Sequence, residues 1–442
     1  MEYMTKAVCM AKRISSVLLI GALITLQLLG APPVAAYAEE IGDYDLYATA
    51  AVLMDGESGR ILYGKNADQV MPMASTTKIM TCIIALENGN LEDTVTASAY
   101  AASQPKVHLG MVKGYTYRLE DLLYSLMLES HNDSAVAIAE HIGGAFLQLP
   151  PTQERSQEES RQAVAAFAVL MNRKAADLGL SDTWFITPNG LDASQEVTLE
   201  NGETVTRQHA TTAAELACIM RYCAWQSPQK DKFLEITRQR SYFFAELSGR
   251  GSYTCNNHNS FLDMMEGALT GKTGFTNAAG YCYVGALEAD GKRFTVALLA
   301  CGWPDNKTWK WADTKKLMNY GLNNYAVHSF SEYAYDAGNL SPVSVAGGQS
   351  DGIGAAARVG VEIIGREQED KILLREDEEI QVSCRIEEVL QAPVEKGENV
   401  GIITYQLNGE ILWTEFVVTT GTVDKIDFRW CMRQILAGYL LG

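Results

Sequence analysis

Histidine and basic charge are what this chain has least of. Only six of its 442 residues are histidine. None has a metal-ligand spacing such as His-Glu-x-x-His, so no metal site is expected. Lys plus Arg number 36 against 54 Asp plus Glu, a formal net charge of −18. No basic patch interrupts that excess, which argues against nucleic acid as a partner. The nine cysteines show no disulfide framework in their spacing. Cys82, Cys218 and Cys223 fall in apolar helical stretches and read as small core residues. Cys282 and Cys301 share one face of a predicted hairpin but sit diagonally, so a bond between them is not expected. One stretch, Gly267-Ala-Leu-Thr-Gly271-Lys272-Thr273, resembles a phosphate loop but is a residue short between its first Gly and its Gly-Lys pair. No cofactor is expected.

What the chain does have is three short polar motifs, in the order Ser75-Thr-Thr-Lys78, Ser130-His-Asn132 and Lys272-Thr-Gly274. Ser75 and Lys78 are spaced to share one helix face, a turn apart. A serine hydroxyl needs an adjacent base to become a useful nucleophile. Lys78 can be that base only when neutral, and burial plus a second positive charge such as Lys272 lowers a lysine pKa. Ile79, Met80, Cys82, Ile83, Ile84 and Leu86 make the following helix apolar nearly all round, with Asn88-Gly89 as its stop. Ser75 then stands at a helix N-terminus, where outward N–H groups can help bind an oxyanion. Ser130 and Asn132 read as a short extended loop between two buried helices. Their hydroxyl and amide can relay a proton to a leaving amine and bond a substrate peptide. Lys272-Thr-Gly274 precedes a strand-like run from Tyr281 to Leu287, a turn at Asp290-Gly291 and a second run from Phe294 to Leu299. At a sheet edge, Lys272 and Thr273 can bind a carboxylate, the edge backbone can pair with an extended peptide, and Gly274 leaves room for substrate backbone. A second Ser-x-x-Lys, Ser227-Pro-Gln-Lys230, comes in the wrong order and follows a helix end.

From Tyr47 to about Tyr325 the chain resembles the D-alanyl-D-alanine carboxypeptidases, low-molecular-mass penicillin-binding proteins of the serine peptidase type. Beyond the three motifs, the stretch from Ala51 to Tyr63 is similar to the family's opening hairpin, and that from Pro72 to Thr81 to its nucleophile helix. Thr187-Pro-Asn-Gly-Leu-Asp192 and His209-Ala-Thr-Thr-Ala213 resemble mid-domain landmarks, as does the stretch starting at Gly267. The resemblance implies Ser75 as the acylated nucleophile and Lys78 as its base. It implies Ser130 and Asn132 as the second catalytic element, Lys272 and Thr273 on the substrate carboxylate, and the backbone N–H groups of Ser75 and Phe275 as the oxyanion hole. The implied reaction is two-step acyl transfer on the D-Ala–D-Ala end of a peptidoglycan stem peptide, with β-lactams as covalent inhibitors. An endopeptidase cutting crosslinks uses the same site and stays open as an alternative. A β-lactamase is expected to carry a Glu-x-x-x-Asn between the second and third motifs, and none is present. Intact motifs oppose a non-catalytic wall-binding protein. Two stretches depart from the family: residues 146–163, a polar run read as an inserted mobile surface loop, and Val197 to Thr206, read as an added hairpin with an Asn-Gly turn. His131 is expected as a variable rim side chain.

Lys6, Lys12 and Arg13, the apolar stretch from Val17 to Gly30 and Ala36-Tyr37-Ala38 together read as a secretory signal over residues 1–38, with an uncleaved anchor as the alternative because the apolar run is long for a signal peptide. The mature protein is thus expected outside the cytoplasm, at the membrane face or the cell wall. Residues 39–328 are expected as the catalytic domain, an α+β fold of the penicillin-binding-protein/β-lactamase-like transpeptidase type. Residues 329–356 read as linker. Residues 357–425 hold recurring alternating runs and read as a small all-β sandwich. In residues 426–442, Arg429 and Arg433 follow Lys425 at intervals of four. With Phe428, Trp430, Ile435, Leu436, Tyr439 and Leu440 they predict an amphipathic helix for an anionic membrane surface, too short and too charged to span it.

Overall fold

Alternating apolar runs and tight turns lay down the central sheet. The computed structural model describes residues 46–198, 201–365 and 371–441, so the expected signal segment 1–38 lies outside the described residues. Strand β1 (Ala50–Asp55) pairs antiparallel with β2 (Ile61–Lys65), giving the expected opening hairpin. The later strands β3 (Ala268–Thr276), β4 (Gly280–Ala289) and β5 (Lys292–Leu299) complete a sheet of order β3-β4-β5-β1-β2. The β4–β5 turn falls at Asp290 and Gly291, at φ 53° and 71°. That left-handed pair is what a two-residue hairpin turn requires. β3, which carries the third motif, is an edge strand.

Helices α1 (Lys78–Asn88), α2 (Asn132–Phe146) and α3 (Gln157–Asp177) share one apolar core that includes Ile79, Ile83, Leu122, Ile138 and Phe167. α1 is buried from Lys78 through Leu86, as its all-round apolarity predicts. Its stop is a different matter. Gly89 is extended at φ −108°, not left-handed. A Cβ there would lie 2.6 Å from Leu119 Cδ2, so glycine is needed for space and not for a special backbone angle.

The polar stretch at 146–163 is not a mobile loop. A short 3-10 turn, Thr152–Glu154, leads into α3, whose Ser156 and Glu159 form a reciprocal capping box. That box was legible as Ser-x-x-Glu before an apolar run. Arg155 lies over Gly144 and donates to Glu140 O and Pro150 O, both at 2.7 Å, tying the insertion to the end of α2. The added hairpin is present, Ser194–Thr198 with Thr204–Gln208, and Val197 faces Val205.

By contacts the chain divides into two compact units. One holds the described residues up to Met54, Arg60–Leu287 and Thr295–Met318. The other holds Asp55–Gly59, Glu288–Phe294 and the chain from Asn319 onward. In the second, β6 (Val361–Ile364), β7 (Gln381–Ile386), β8 (Asn399–Leu407) and β9 (Glu410–Thr419) form a sheet of order β6-β9-β8-β7. Val345, Leu374, Leu390, Ile403, Tyr405 and Val417 belong to its core. Val343–Ala346, within the stretch expected as linker, is a strand running parallel to Val389–Gln391, and its valines are buried in that core. The terminal helix is Phe428–Leu441. Lys425 precedes it, in an isolated bridge with Gly348, so only Arg429 and Arg433 of the basic triplet lie on the helix. Trp430 is buried while Phe428, Ile435, Leu436 and Tyr439 are exposed. Among the described residues, no helix is long and apolar enough to cross a membrane.

Eight described cysteines are all free thiols. Burial pushes Cys255 and Cys282 up to about 12, and Cys82, Cys223 and Cys301 also rise for the same reason. Cys301 donates to Asp313 Oδ2 at 3.3 Å.

The closest helix approach gives a stability test. A Cβ on Gly143 would lie 1.9 Å from Ala163 O, so α2 and α3 touch backbone to backbone. Gly143→Ala should force them apart and cost about 1–3 kcal/mol. A urea midpoint equal to that of the unchanged protein would contradict this packing.

Candidate active site

Ser75 stands in a single 3-10 turn, Ala74–Thr77, that runs directly into α1. Two hydroxyls close the turn: Thr76 Oγ1 donates to Met73 O at 2.6 Å and Thr77 Oγ1 to Ala74 O at 2.8 Å. Ala74 is held at φ 47°, a left-handed conformation that alanine seldom adopts. Such strain persists where the surroundings over-determine it. Here two glycines press on the turn. A Cβ on Gly190 would lie 2.0 Å from Ala74 O, and one on Gly274 would lie 3.0 Å from Ser75 N. Gly274 therefore makes room for the protein's own Met73–Ser75 backbone, a use the sequence did not suggest. The same contact sets the Ser75 amide beside the residue that precedes Phe275.

Lys78 follows one turn later with no exposure to solvent. Its Nζ lies within hydrogen-bond distance of Ser75 Oγ at 2.9 Å, Asn132 Oδ1 at 2.9 Å and Asn189 O at 2.6 Å. Burial holds its pKa well below the ordinary lysine value, and the charge of Lys272 lowers it further against the pull of Asp133. Lys272, on edge strand β3, is also buried. Its Nζ donates to Ser130 Oγ at 3.0 Å and to Thr273 O at 2.9 Å, and burial brings its pKa down to about 7. Phe275 presents an exposed ring tilted at 39° against Tyr281, 4.7 Å between centroids.

Ser130 and Asn132 do not lie on an extended loop. A π-helical turn, Ser125–Glu129, ends at Ser130 in a left-handed conformation, φ 65°, and Asn132 opens α2. The break aims the Ser130 and Asn132 side chains at the two lysines. Asn132 also ties down the segment before it: its Nδ2 donates to Pro105 O at 3.1 Å and its backbone N–H to Val107 O at 2.8 Å. Asp133 accepts the N–H groups of Leu109, Gly110 and Met111 at 2.8, 2.9 and 3.0 Å. His131 turns inward and is not a rim side chain. Its Nδ1 lies 2.8 Å from Ser125 Oγ, which meets Ser134 Oγ at 2.7 Å, and burial lowers its pKa. The second Ser-x-x-Lys is structural: buried Ser227 donates to Glu87 Oε1 at 2.7 Å.

The geometry thus joins the three motifs through Lys78 and Lys272. The sequence profile of the D-alanyl-D-alanine carboxypeptidase family matches residues 35–149 and 160–301. The chain belongs to that family. A profile of the penicillin-binding protein 5 C-terminal domain matches residues 342–425. The D-alanyl-D-alanine carboxypeptidase DacF of Bacillus subtilis is 25% identical over 437 residues, 97% of this chain and 99% of its own. A D-alanyl-D-alanine carboxypeptidase of Streptomyces sp. strain K15 is 30% identical over 319 residues, 70% of this chain and 97% of its own. Penicillin-binding protein 5 of Haemophilus influenzae shares the fold with a TM-score of 0.62, at 24% identity, covering 87% of this chain and 100% of the solved one. The family match skips residues 150–159, inside the stretch expected as an insertion.

Sequence reasoning assigned no role to Asn189, Gly190 or His209 in this carboxypeptidase, although both of their segments stood out. Asn189 acts through its carbonyl, which carries no side-chain signature. The Pro-Asn-Gly turn was the only available signal. Gly190 sits at φ 84° with no room for a Cβ, so it fixes where the Asn189 carbonyl points. Gly190→Ala should displace that carbonyl from Lys78 and slow labelling by a fluorescent penicillin on the order of 100-fold in folded protein. Unchanged labelling would show that the loop yields without disturbing Lys78.

Proposed function

We propose that this serine D-alanyl-D-alanine carboxypeptidase removes the terminal D-Ala of peptidoglycan stem pentapeptides through an acyl-enzyme on Ser75. One observation carries the reading: a fully buried amine, Lys78 Nζ, lies 2.9 Å from Ser75 Oγ. A neutral lysine amine has two protons and one lone pair. Asn132 Oδ1 and Asn189 O can take the two protons, which leaves the lone pair facing the Ser75 hydroxyl. Burial and the Lys272 charge favour that neutral state.

Lys78 takes the hydroxyl proton as Ser75 Oγ bonds to the scissile carbonyl carbon. The carbonyl oxygen gains the charge and rests against the N–H groups of Ser75 and Phe275. The C–N bond then breaks, and Ser130 gives its proton to the departing D-Ala nitrogen. Lys272, hydrogen-bonded to Ser130, resupplies that proton. With Thr273 it also binds the D-Ala carboxylate, whose charge in turn favours protonated Lys272. In deacylation a water gives one proton to neutral Lys272 by way of Ser130 as its oxygen bonds to the acyl carbon, and Lys78 returns its proton to Ser75 Oγ as the ester C–O bond breaks, which frees the shortened peptide and restores both lysines. A β-lactam presents a ring-strained counterpart of that amide, and its leaving amine stays attached. Gly274 keeps β3 against the nucleophile turn.

The carboxypeptidase reading is favoured over endopeptidase by coverage. A D-alanyl-D-alanine endopeptidase of Escherichia coli aligns with 54% of this chain, whereas the Bacillus carboxypeptidase aligns with 97% and so includes the C-terminal domain. A defined pentapeptide and a crosslinked muropeptide test this directly. The expected product is tetrapeptide plus D-Ala, read by mass, with the crosslink cut more slowly. Faster crosslink cleavage would reverse the assignment. Lys78→Arg should fold yet lose acylation, since a guanidinium cannot accept the proton. Mass mapping of a labelled penicillin should find the label on Ser75.

The same reading puts the protein outside the cytoplasm, exported by residues 1–38, with catalysis in residues 39–328 and a small β-domain that takes in 357–425 together with the strand Val343–Ala346. The terminal helix attaches it to an anionic membrane surface. Four exposed apolar residues, Phe428, Ile435, Leu436 and Tyr439, support this together with Arg429 and Arg433. Removing residues 426–442 should release the enzyme from membranes with peptide cleavage intact, and high salt should loosen the full-length protein. Truncated protein that still sediments with membranes would put the anchor elsewhere.

A further inference from the structure

His209 is the one histidine whose ring hydrogen bonds all lead to the nucleophile turn or to the loop beside Lys78. It is 3% exposed. Its Nδ1 accepts the backbone N–H of Ile186 at 2.9 Å, with Thr187 N at 3.3 Å. A backbone N–H can only donate, so Nδ1 is unprotonated and the ring proton sits on Nε2. Nε2 lies 2.8 Å from Thr77 Oγ1, which in turn donates a hydrogen bond to Ala74 O at 2.8 Å. The result is a continuous chain, Ile186 N–H to His209 to Thr77 to Ala74 O. At one end is the left-handed residue that precedes Ser75. At the other is the start of the loop whose Asn189 carbonyl binds Lys78 at 2.6 Å. The neighbouring Ala210–Thr211 pairs with Met71–Pro72, just before the same turn. Burial, then the Lys78 charge, push the ring down to about 3, so it stays neutral wherever the enzyme works.

We infer that His209 is a positioning residue for acylation: as a neutral imidazole it sets the spacing between the Ser75 turn and the Asn189 carbonyl, and thereby the aim of Lys78. It touches no reacting atom. The inference rests on the reading of Ser75 and Lys78 as nucleophile and base. It predicts that both ring nitrogens matter, one as acceptor and one as donor, and that the ring's volume alone is not enough.

Four variants of the full chain separate these roles. His209→Gln keeps an N–H near the place of Nε2, and His209→Asn keeps an acceptor near that of Nδ1. His209→Phe fills the volume with no polar group, and His209→Ala removes everything. The readout is the saturation kinetics of Ser75 acylation by a labelled penicillin, with the site mapped by mass. The acylation rate constant should fall about 10-fold in the Gln and Asn variants and about 100-fold in Phe and Ala. The apparent dissociation constant should change less than about threefold, because the carboxylate-binding groups on β3 are not displaced. The acid limb of the pH profile should stay in place in the Gln variant, since the ring does not titrate there. A Phe variant that acylates like the unchanged protein would overturn the inference in favour of simple packing. So would a loss carried by the dissociation constant, or an acid limb that moves. If the Ala variant fails to fold, the Gln, Asn and Phe comparison still decides. Absence of label on Ser75 in the unchanged protein would sink the nucleophile assignment itself and the inference with it.

Discussion

A lysine amine with no access to water makes the strictest demand on this fold. An uncompensated charge in such a place is costly, and the group answers by shifting its pKa and by collecting hydrogen bonds. Lys78 collects three, from Ser75, Asn132 and Asn189. Those residues come from the turn before α1, the opening of α2 and a loop far along the chain. None of these segments can move alone without stranding the amine. The close approach of Gly190 and Gly274 to Ala74 and Ser75 follows from that demand, because three backbones must crowd around one side chain.

Two non-glycine residues at the site, Ala74 and Ser130, take left-handed backbone conformations. Each costs free energy that a relaxed chain would avoid. In both places a regular helix begins or ends within a residue or two of a reactive hydroxyl. A helix that started or stopped in the ordinary way would carry Ser75 or Ser130 around its axis, away from its lysine. Local strain is therefore the means by which two helices present hydroxyls to one small volume.

Side-chain chemistry was largely legible in the sequence. Ser75 with Lys78, the buried helix that follows and the edge strand bearing Lys272 were all readable from spacing and apolar pattern. So were both hairpins, from Asp290-Gly291 and Asn201-Gly202. What stayed hidden acts through backbone or through space. The Asn189 carbonyl belongs to a residue type found in countless turns. Gly89 looked like a helix cap and proved to be a packing site. His131 has no periodic context to tell inward from outward. Ser130 and Asn132, two residues apart, suggested extended chain, because spacing alone cannot reveal a π-turn that ends in one left-handed residue. The capping box at Ser156 was visible, but the polar composition around it pointed the other way.

The free cysteines bear on how the protein matures. A thiol reacts as its thiolate, and burial keeps Cys82, Cys223, Cys255, Cys282 and Cys301 protonated at ordinary pH. Under the proposed export, the chain emerges where oxidants and thiol-exchange catalysts are met. There the unfolded chain is at risk of wrong pairing, whereas in the folded chain these five buried thiols are not. Speed of collapse is their safeguard: once the core closes around them, these five sulfurs are out of an oxidant's reach.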